Sequence, residues 1–300
     1  VRYLLAALLF TACTQKPAEW AAVSIASGGK IHVQALTALA PDDLWGVSRP
    51  SVFHYDGKQW ALTGDPGCEH ISAAAHDDVW GVGRGGSWFH FDGKTWSSGR
   101  VEEPAKKYLD FYGVAAWPGE VWATAGDEGY YRFDGKDWSH VFPPELAGWK
   151  LQRMSAIGRH VFVGLSKDHG EPAGRRTFES QLGHFDGKSW SLIDQPSGLQ
   201  VRGSGPDDLW IVRKTPMHFD GRSWLVTTLP DNAAVPYDLF ARSKTEAYLV
   251  GAKGLAMKWD GTAWKEIHSG TQADLLSVTG GATGPIWAGG APGQMLLYAK

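Results

Sequence analysis

Cysteine is almost absent from this 300-residue chain, with Cys13 and Cys68 the two present. One pair cannot build a disulfide framework, and neither residue lies in a Cys/His spacing suited to zinc. Excess charge is equally scarce. A formal net charge of −3 gives neither a basic footprint for nucleic acid nor an acidic tail. Long apolar runs are missing, and the stretch from Leu4 to Phe10 is far too short to span a bilayer. Hydrolytic triads, phosphate loops and dinucleotide fingerprints are not found. Gly83-Arg84-Gly85-Gly86 sits in a hairpin and not before a helix. No cofactor is implied.

What the chain does have is 38 glycines and 16 tryptophans, beside only 4 methionines. Abundant Trp, Gly and Asp with few helix formers points to β-structure. The length would suit two average domains, but closed all-β folds of this size are often one.

Repetition governs the rest. His54-Tyr55-Asp56-Gly57-Lys58-Gln59-Trp60 returns from His90 to Trp96, Arg132 to Trp138, His184 to Trp190, His218 to Trp224 and Lys258 to Trp264. A second phrase precedes each copy. Asp42-Asp43-Leu44-Trp45-Gly46-Val47 matches Asp77 to Val82 and Asp207 to Val212, with Trp122, Phe162, Tyr248 and Trp287 in the Trp place elsewhere. Each unit reads as four short strands, A to D. Strand A carries small residues, as in Ser72-Ala73-Ala74-Ala75 and Gly203-Ser204-Gly205, which suits strands crowded around an axis. Strand B is the Leu-Trp-Gly-Val phrase, and strand C ends in His-(Phe/Tyr)-Asp. Asp-Gly then signals a tight hairpin in which both residues tolerate positive φ. Strand D starts at the following Trp.

Four strands repeated at about forty residues is the signature of a β-propeller. The last unit stops at Met295-Leu296-Leu297-Tyr298 without a D strand, while Trp20 to Ile25 reads as a D strand with nothing before it. Joining them predicts a seven-bladed β-propeller over residues 20–300, with Trp20 to Ile25 beside Gln294 to Tyr298 in the closing blade. Such a clasp leaves no open sheet edge between the ends.

The Asp-x-Trp-x-x-Gly and His-(Phe/Tyr)-Asp-Gly-x-x-Trp units resemble the repeats of bacterial secreted and lipoprotein β-propellers, over essentially Trp20 to Lys300. They are loosely similar to the Asp-box repeats of sialidase-like propellers. Here, however, Asp and Gly are adjacent and the Ser is missing, as in Phe91-Asp92-Gly93-Lys94-Thr95-Trp96. Gly85-Gly86 is faintly similar to kelch repeats.

At the N-terminus, Arg2, the apolar stretch and Thr11-Ala12 before Cys13 describe an export signal over residues 1–12. Phe10-Thr11-Ala12-Cys13 resembles the bacterial lipoprotein box, with Phe in the usual Leu place. That resemblance implies lipidation of Cys13 and a tether over residues 13–19. A generic signal peptide is the alternative.

Several constellations invite a functional reading. His54, His90, His184 and His218 share one position in four blades. Equivalent places on a ring are far apart, so they cannot converge on one ion. Structural histidines and no metal are expected. The Asp-Gly and Asp-Asp pairs are read as turn chemistry, with a calcium site inside one blade as the alternative. The B–C loops hold Arg49, Arg84, Arg213, Lys214 and Lys253, besides Asp127 and Glu128. An insertion at 167–178 adds His169, Arg175 and Arg176. Similar offsets after the strand-B aromatic place Arg49, Arg84, Arg213 and Lys253 on one face. They are expected to ring the mouth of the central channel as a site for an anionic group.

The function expected is a non-catalytic ligand- or protein-binding scaffold lipoprotein of the bacterial cell envelope. It would be a monomer held to the membrane by its lipid anchor only, binding an anionic glycan or an envelope protein and no nucleic acid. A carbohydrate-active enzyme in the central well is one alternative. Arg49, Arg84 and Arg213, with Tyr108, Tyr112 and Glu128, could supply a sialidase-like set. An envelope assembly factor is another.

The lipoprotein expectation is checked by mass spectrometry of the membrane fraction. Lipidated Cys13 should be the mature N-terminus, and Cys13→Ala should release soluble protein. A mature N-terminus elsewhere would refute it.

Overall fold

The computed structural model describes residues 20–23, 32–102, 109–126, 129–170, 177–193, 200–290 and 295–298. Cys13, Tyr108, Asp127, Glu128, Arg175, Arg176, Ile25 and Gln294 lie outside that set, as do the signal and tether segments.

The described strands form seven four-stranded antiparallel sheets. Six are continuous in sequence, within residues 35–64, 70–100, 113–141, 150–193, 201–226 and 236–266. A count along the chain therefore gives six. The seventh is composite, because Leu275–Gly280, Ile286–Gly290 and Met295–Tyr298 are completed by Trp20–Ala22 from the other end. In that pairing Trp20 stands opposite Tyr298 and Ala22 opposite Leu296. The innermost strands neighbour one another in sequence order, and that of the composite sheet (blade 7) touches that of the first. The sheets thus make a closed ring, numbered here as blades 1 to 7 from residue 35.

Aromatic wedges hold adjacent blades together. Trp45 on strand B of blade 1 lies 5.2 Å from Phe91 and 6.4 Å from Trp96 of blade 2. Trp80 meets Phe133 and Trp138 at 4.9 and 6.1 Å. Trp122 meets Phe185 and Trp190 at 4.9 and 6.0 Å. Across the closure, Trp287 reaches Tyr55 at 4.6 Å and Trp60 at 5.7 Å. In blades 1, 2, 3, 5 and 7 the B aromatic therefore enters a corner made by the C aromatic and the D tryptophan of the next, and Tyr248 of blade 6 packs with Trp20. Such contacts add roughly 0.5–1.5 kcal/mol each beyond area burial.

Glycines one or two residues after the B-strand Trp have a packing reason. A Cβ at Gly81 would meet Cys68 Cβ at 2.7 Å, and one at Gly289 would meet Val33 Cβ at 2.8 Å. The bare backbone there accepts the chain segment that leads into strand A.

The Asp-Gly hairpins differ from expectation in one respect. Only the Gly takes positive φ, for example 87° at Gly93. The loop is four residues long, since Phe91 pairs with Trp96. Asp92 does not turn the chain by its own backbone. Its Oδ1 accepts the amides of Lys94 and Thr95 at 2.9 and 2.8 Å, and the same cap recurs at Asp56, Asp134, Asp186, Asp220 and Asp260. The two-residue turn is thus corrected to a side-chain-capped one.

Trp20 is buried against Tyr248, Val250, Ile267 and Leu275. Trp20→Ala should cost about 3–5 kcal/mol, measured by denaturant unfolding. A loss under about 1 kcal/mol would mean that this strand does not hold the ring closed.

Candidate functional site

The repeated His belongs to a cross-strand clamp. An acidic residue at the start of strand B pairs with a strand-C histidine, arginine or lysine, and the histidines lie along the B aromatic. Asp43 Oδ1 is 2.8 Å from His54 Nε2, and His54 stacks on Trp45 at 4.3 Å. Asp78–His90 at 2.9 Å with Trp80, and buried Asp208–His218 at 2.7 Å with Trp210, repeat the arrangement. Glu120–Arg132 at 2.7 Å and Glu246–Lys258 at 3.3 Å substitute other partners. His184 instead meets His160 at 2.8 Å. These residues fix the strands and stand in separate blades. Blade 1 alone of these pairs gains a second imidazole, with His76 Nδ1 lying 3.1 Å from Asp43 Oδ2.

The central channel holds a concavity with a volume near 590 Å³. Its wall is strand A of every blade, and small side chains such as Ala35, Gly113, Ala156 and Gly203 keep it open. One end is strongly polar. Asp238, buried, accepts hydrogen bonds from Gln200 Nε2 at 2.8 Å, Arg202 Nε at 3.0 Å, Ser277 Oγ at 3.0 Å and the Val278 amide at 3.0 Å. These contacts tie blades 5, 6 and 7 together. Arg153 of blade 4 also lines the channel. It is exposed to it and makes no hydrogen bond or ion pair among the described residues. Its guanidinium is held below its ordinary pKa by burial and by the charge of Arg202, against the pull of Asp238; it remains a cation. His70 completes this level. Burial and the charge of Arg153 push its pKa down to about 4, with Glu69 opposing. Tyr112 and Tyr237, both exposed, line the same cavity.

The cations expected from the loops do not form the predicted ring. Of the described candidates, Arg49 lines the channel cavity, whereas Arg84, Arg213, Lys214 and Lys253 do not. Arg49 and Arg84 converge on one oxygen of Glu69, at 2.5 and 3.1 Å. Similar sequence offsets did not give a shared inward direction. Glu69, from the segment before strand A, draws two of the side chains to itself. Arg213 lies beside Met217 at 3.9 Å, Lys214 is exposed, and Lys253 borders a smaller cavity of about 230 Å³ with His268 and Gln272. The insertion at 167–178 extends a β-hairpin in which Asp168 pairs with Phe178. His169, next to Asp168, meets Glu179 at 3.1 Å.

Arg153 and Arg202 went unnoticed in the sequence although a signal existed. Each is a charged residue inside a strand A that should carry small side chains. Both carboxylates lining the channel, Glu69 and Asp238, are ion-paired with arginines. Cys68 is buried between blades 1 and 2. Burial pushes its thiol up to about 12, which makes it an inert packing group.

No protein-family model matches the chain, and no curated protein matches it. Solved structures do. It is similar to a structure described as YCF48 bound to D1 peptide, at 16% identity and a TM-score of 0.70, over 94% of this chain and 97% of that one. It is also similar to YCF48 from Cyanidioschyzon merolae, at 12% identity and 0.69, over 93% and 98%. The WD40 β-propeller domain of Doa1 aligns at 10% and 0.62, over 94% and 97%. At such identities the likeness establishes the propeller fold and nothing further.

Two acid limbs of stability follow from the shifts. His70 has a folded pKa of about 4, below its unfolded value of about 6.5, so the unfolded chain binds more protons between them. The stability it contributes is full above about pH 6.5 and is lost as pH falls toward about 4. His184, lowered by burial and by His160, adds to the same limb. Asp56, Asp92, Asp134, Asp186, Asp220 and Asp260 are all lowered, five chiefly by backbone amides and Asp260 first by Lys265. Their contribution is present above about pH 3.9 and is lost below it. Melting temperature against pH should show both limbs. His70→Gln should shrink the upper one and spare the lower, and an unchanged upper limb would refute the His70 assignment.

Proposed function

We propose that this chain is a non-catalytic binding propeller whose central channel takes an acidic segment of a partner protein. Arg153 carries the reading, as a cation in a concave, partly desolvated channel with no carboxylate of its own. Such a group gains more from an incoming anion than a surface arginine already paired. Arg202 stands near it, and Tyr112 and Tyr237 offer exposed rings at the same cavity. Arginine and tyrosine are the residue types that most often dominate protein recognition. The D1 peptide in the similar YCF48 structure supports a peptide as the kind of ligand. Placement at the bacterial envelope is part of the same proposal and rests on Phe10 to Cys13. An anionic glycan is the competing ligand and is separated from a peptide by the test.

The probe is a fluorescein-labelled oligoglutamate peptide, followed by anisotropy beside a sulfated oligosaccharide of equal charge. The peptide should bind more tightly than the saccharide and weaken as salt rises. Arg153→Ala should reduce its affinity about tenfold, equivalent to about 1.4 kcal/mol, with a melting temperature that does not fall, because the side chain makes no hydrogen bond or ion pair among the described residues. Equal affinity of variant and wild type, or preference for the saccharide, would overturn the proposal.

A further inference from the structure

The junction of blades 1 and 2, on the face of the A–B turns, gathers three metal-ligating side chains that neither the clamp nor the channel explains. Asp43 and His54 belong to the repeated clamp, but His76 is an addition from the next blade. The candidate ligand atoms of all three lie within 4.8 Å of one another, and the two imidazole rings are 5.0 Å apart. This is the one such group of three among the described residues.

The other clamps serve as internal controls. His76 lies two residues before the strand-B acid of blade 2. The equivalent residue facing the Asp78–His90 pair is Pro118, and that facing Asp208–His218 is Lys244. Lys244 spends its ammonium on the Asp220 carbonyl at 2.9 Å. A cross-strand His–Asp pair is therefore sufficient for the fold, and the second imidazole in blade 2 serves something else. Its chemistry is specific. Two neutral imidazoles and one carboxylate are a recurring donor set for zinc, at bond lengths of about 2.0–2.2 Å. The carboxylate already has one oxygen turned toward each ring, at 2.8 and 3.1 Å. Solvent access is graded in the same sense: the His54 and Asp43 side chains are 13% and 18% exposed, whereas that of His76 is 65% exposed.

We propose that Asp43, His54 and His76 bind one divalent transition-metal ion of the zinc class, with solvent water in the remaining position. Contraction of the ligand atoms around the ion replaces the two Asp43 hydrogen bonds and fastens blade 1 to blade 2. The stacking of His54 on Trp45 presets one ligand, so only the exposed His76 loses rotational freedom on binding. Binding requires neutral imidazoles and weakens as they protonate. A single site also predicts stabilisation that grows with free metal concentration.

The test uses the full chain stripped of metal with a chelator. Isothermal titration with zinc chloride should give one ion per chain, and the melting temperature should rise with added zinc. Cobalt(II) should give the visible d–d bands of a four- or five-coordinate nitrogen and oxygen site. His76→Ala removes an exposed side chain from outside the clamp, so the protein stays folded while zinc affinity falls at least tenfold and both the thermal shift and the cobalt bands disappear. His169→Ala, which alters a different exposed histidine, should change none of these. Absence of binding by wild type, or equal binding by His76→Ala, overturns the proposal.

Discussion

The interface between neighbouring blades rests on one repeated contact, the strand-B aromatic wedged against the C aromatic and D tryptophan of the next blade. An isolated four-stranded sheet has two apolar faces and cannot bury both alone. The wedge gives each face a neighbour, and the last interface, Trp287 against Tyr55 and Trp60, is made of the same parts as the first. The clamp and the hairpin cap are subordinate to it. His54 or its equivalents hold the wedge residue flat, and the capped Asp-Gly loops bring the D tryptophan back beneath the C aromatic. Because the wedge bears the packing load, several channel-lining positions of the innermost strands, such as Ala35, Gly113, Ala156 and Gly203, carry small side chains. These make room for the channel.

The channel is consequently where the repeat is least regular and most chemical. Blades 4, 5 and 6 break the small-residue rule of strand A with Arg153, Arg202 and Asp238. Arg202 and Asp238 partly serve structure, since their contacts bridge blades where backbone pairing between sheets is absent. Arg153 makes no hydrogen bond or ion pair among the described residues. On the same wall, the Arg202–Asp238 pair serves cohesion, and Arg153 is the group to which the proposed binding role falls.

Much of the architecture was legible in the sequence, because a period-forty pattern with an invariant Asp-Gly-x-x-Trp reports strand order, turn position and packing residue together. The strand assignment, the small residues of strand A, the D strand at each Trp and the pairing of Trp20 with the last strand were all readable from it. The turn type was not. Asp-Gly is compatible both with a two-residue turn and with the four-residue capped loop, and the Trp three residues later fixes only the end of the loop. The site was legible only in kind. A cationic concavity was expected, but Arg84, Arg213 and Lys253 do not line the cavity, while Arg153 and Arg202 do. Offset along a strand reports height, whereas the direction of a loop side chain depends on partners such as Glu69 from a different segment. The company of His54 was hidden for the same reason: His76 belongs to the next unit, and a comparison of equivalent positions cannot reveal contacts between unlike ones.

The composite sheet also has a temporal meaning. Six sheets each require strands that follow one another closely, so they can pair as soon as they leave the ribosome. The seventh joins Trp20 to Tyr298, which belong to the first and the last of the described strands to be made. Until then the strand at Trp20 has no partner, and the aromatic corner of blade 1 waits for Trp287. Loop-closure entropy for so long a separation is met in a single late step. Synthesis thus leaves a nascent open arc with two sticky ends, a stage at which pairing with a second chain competes with closure.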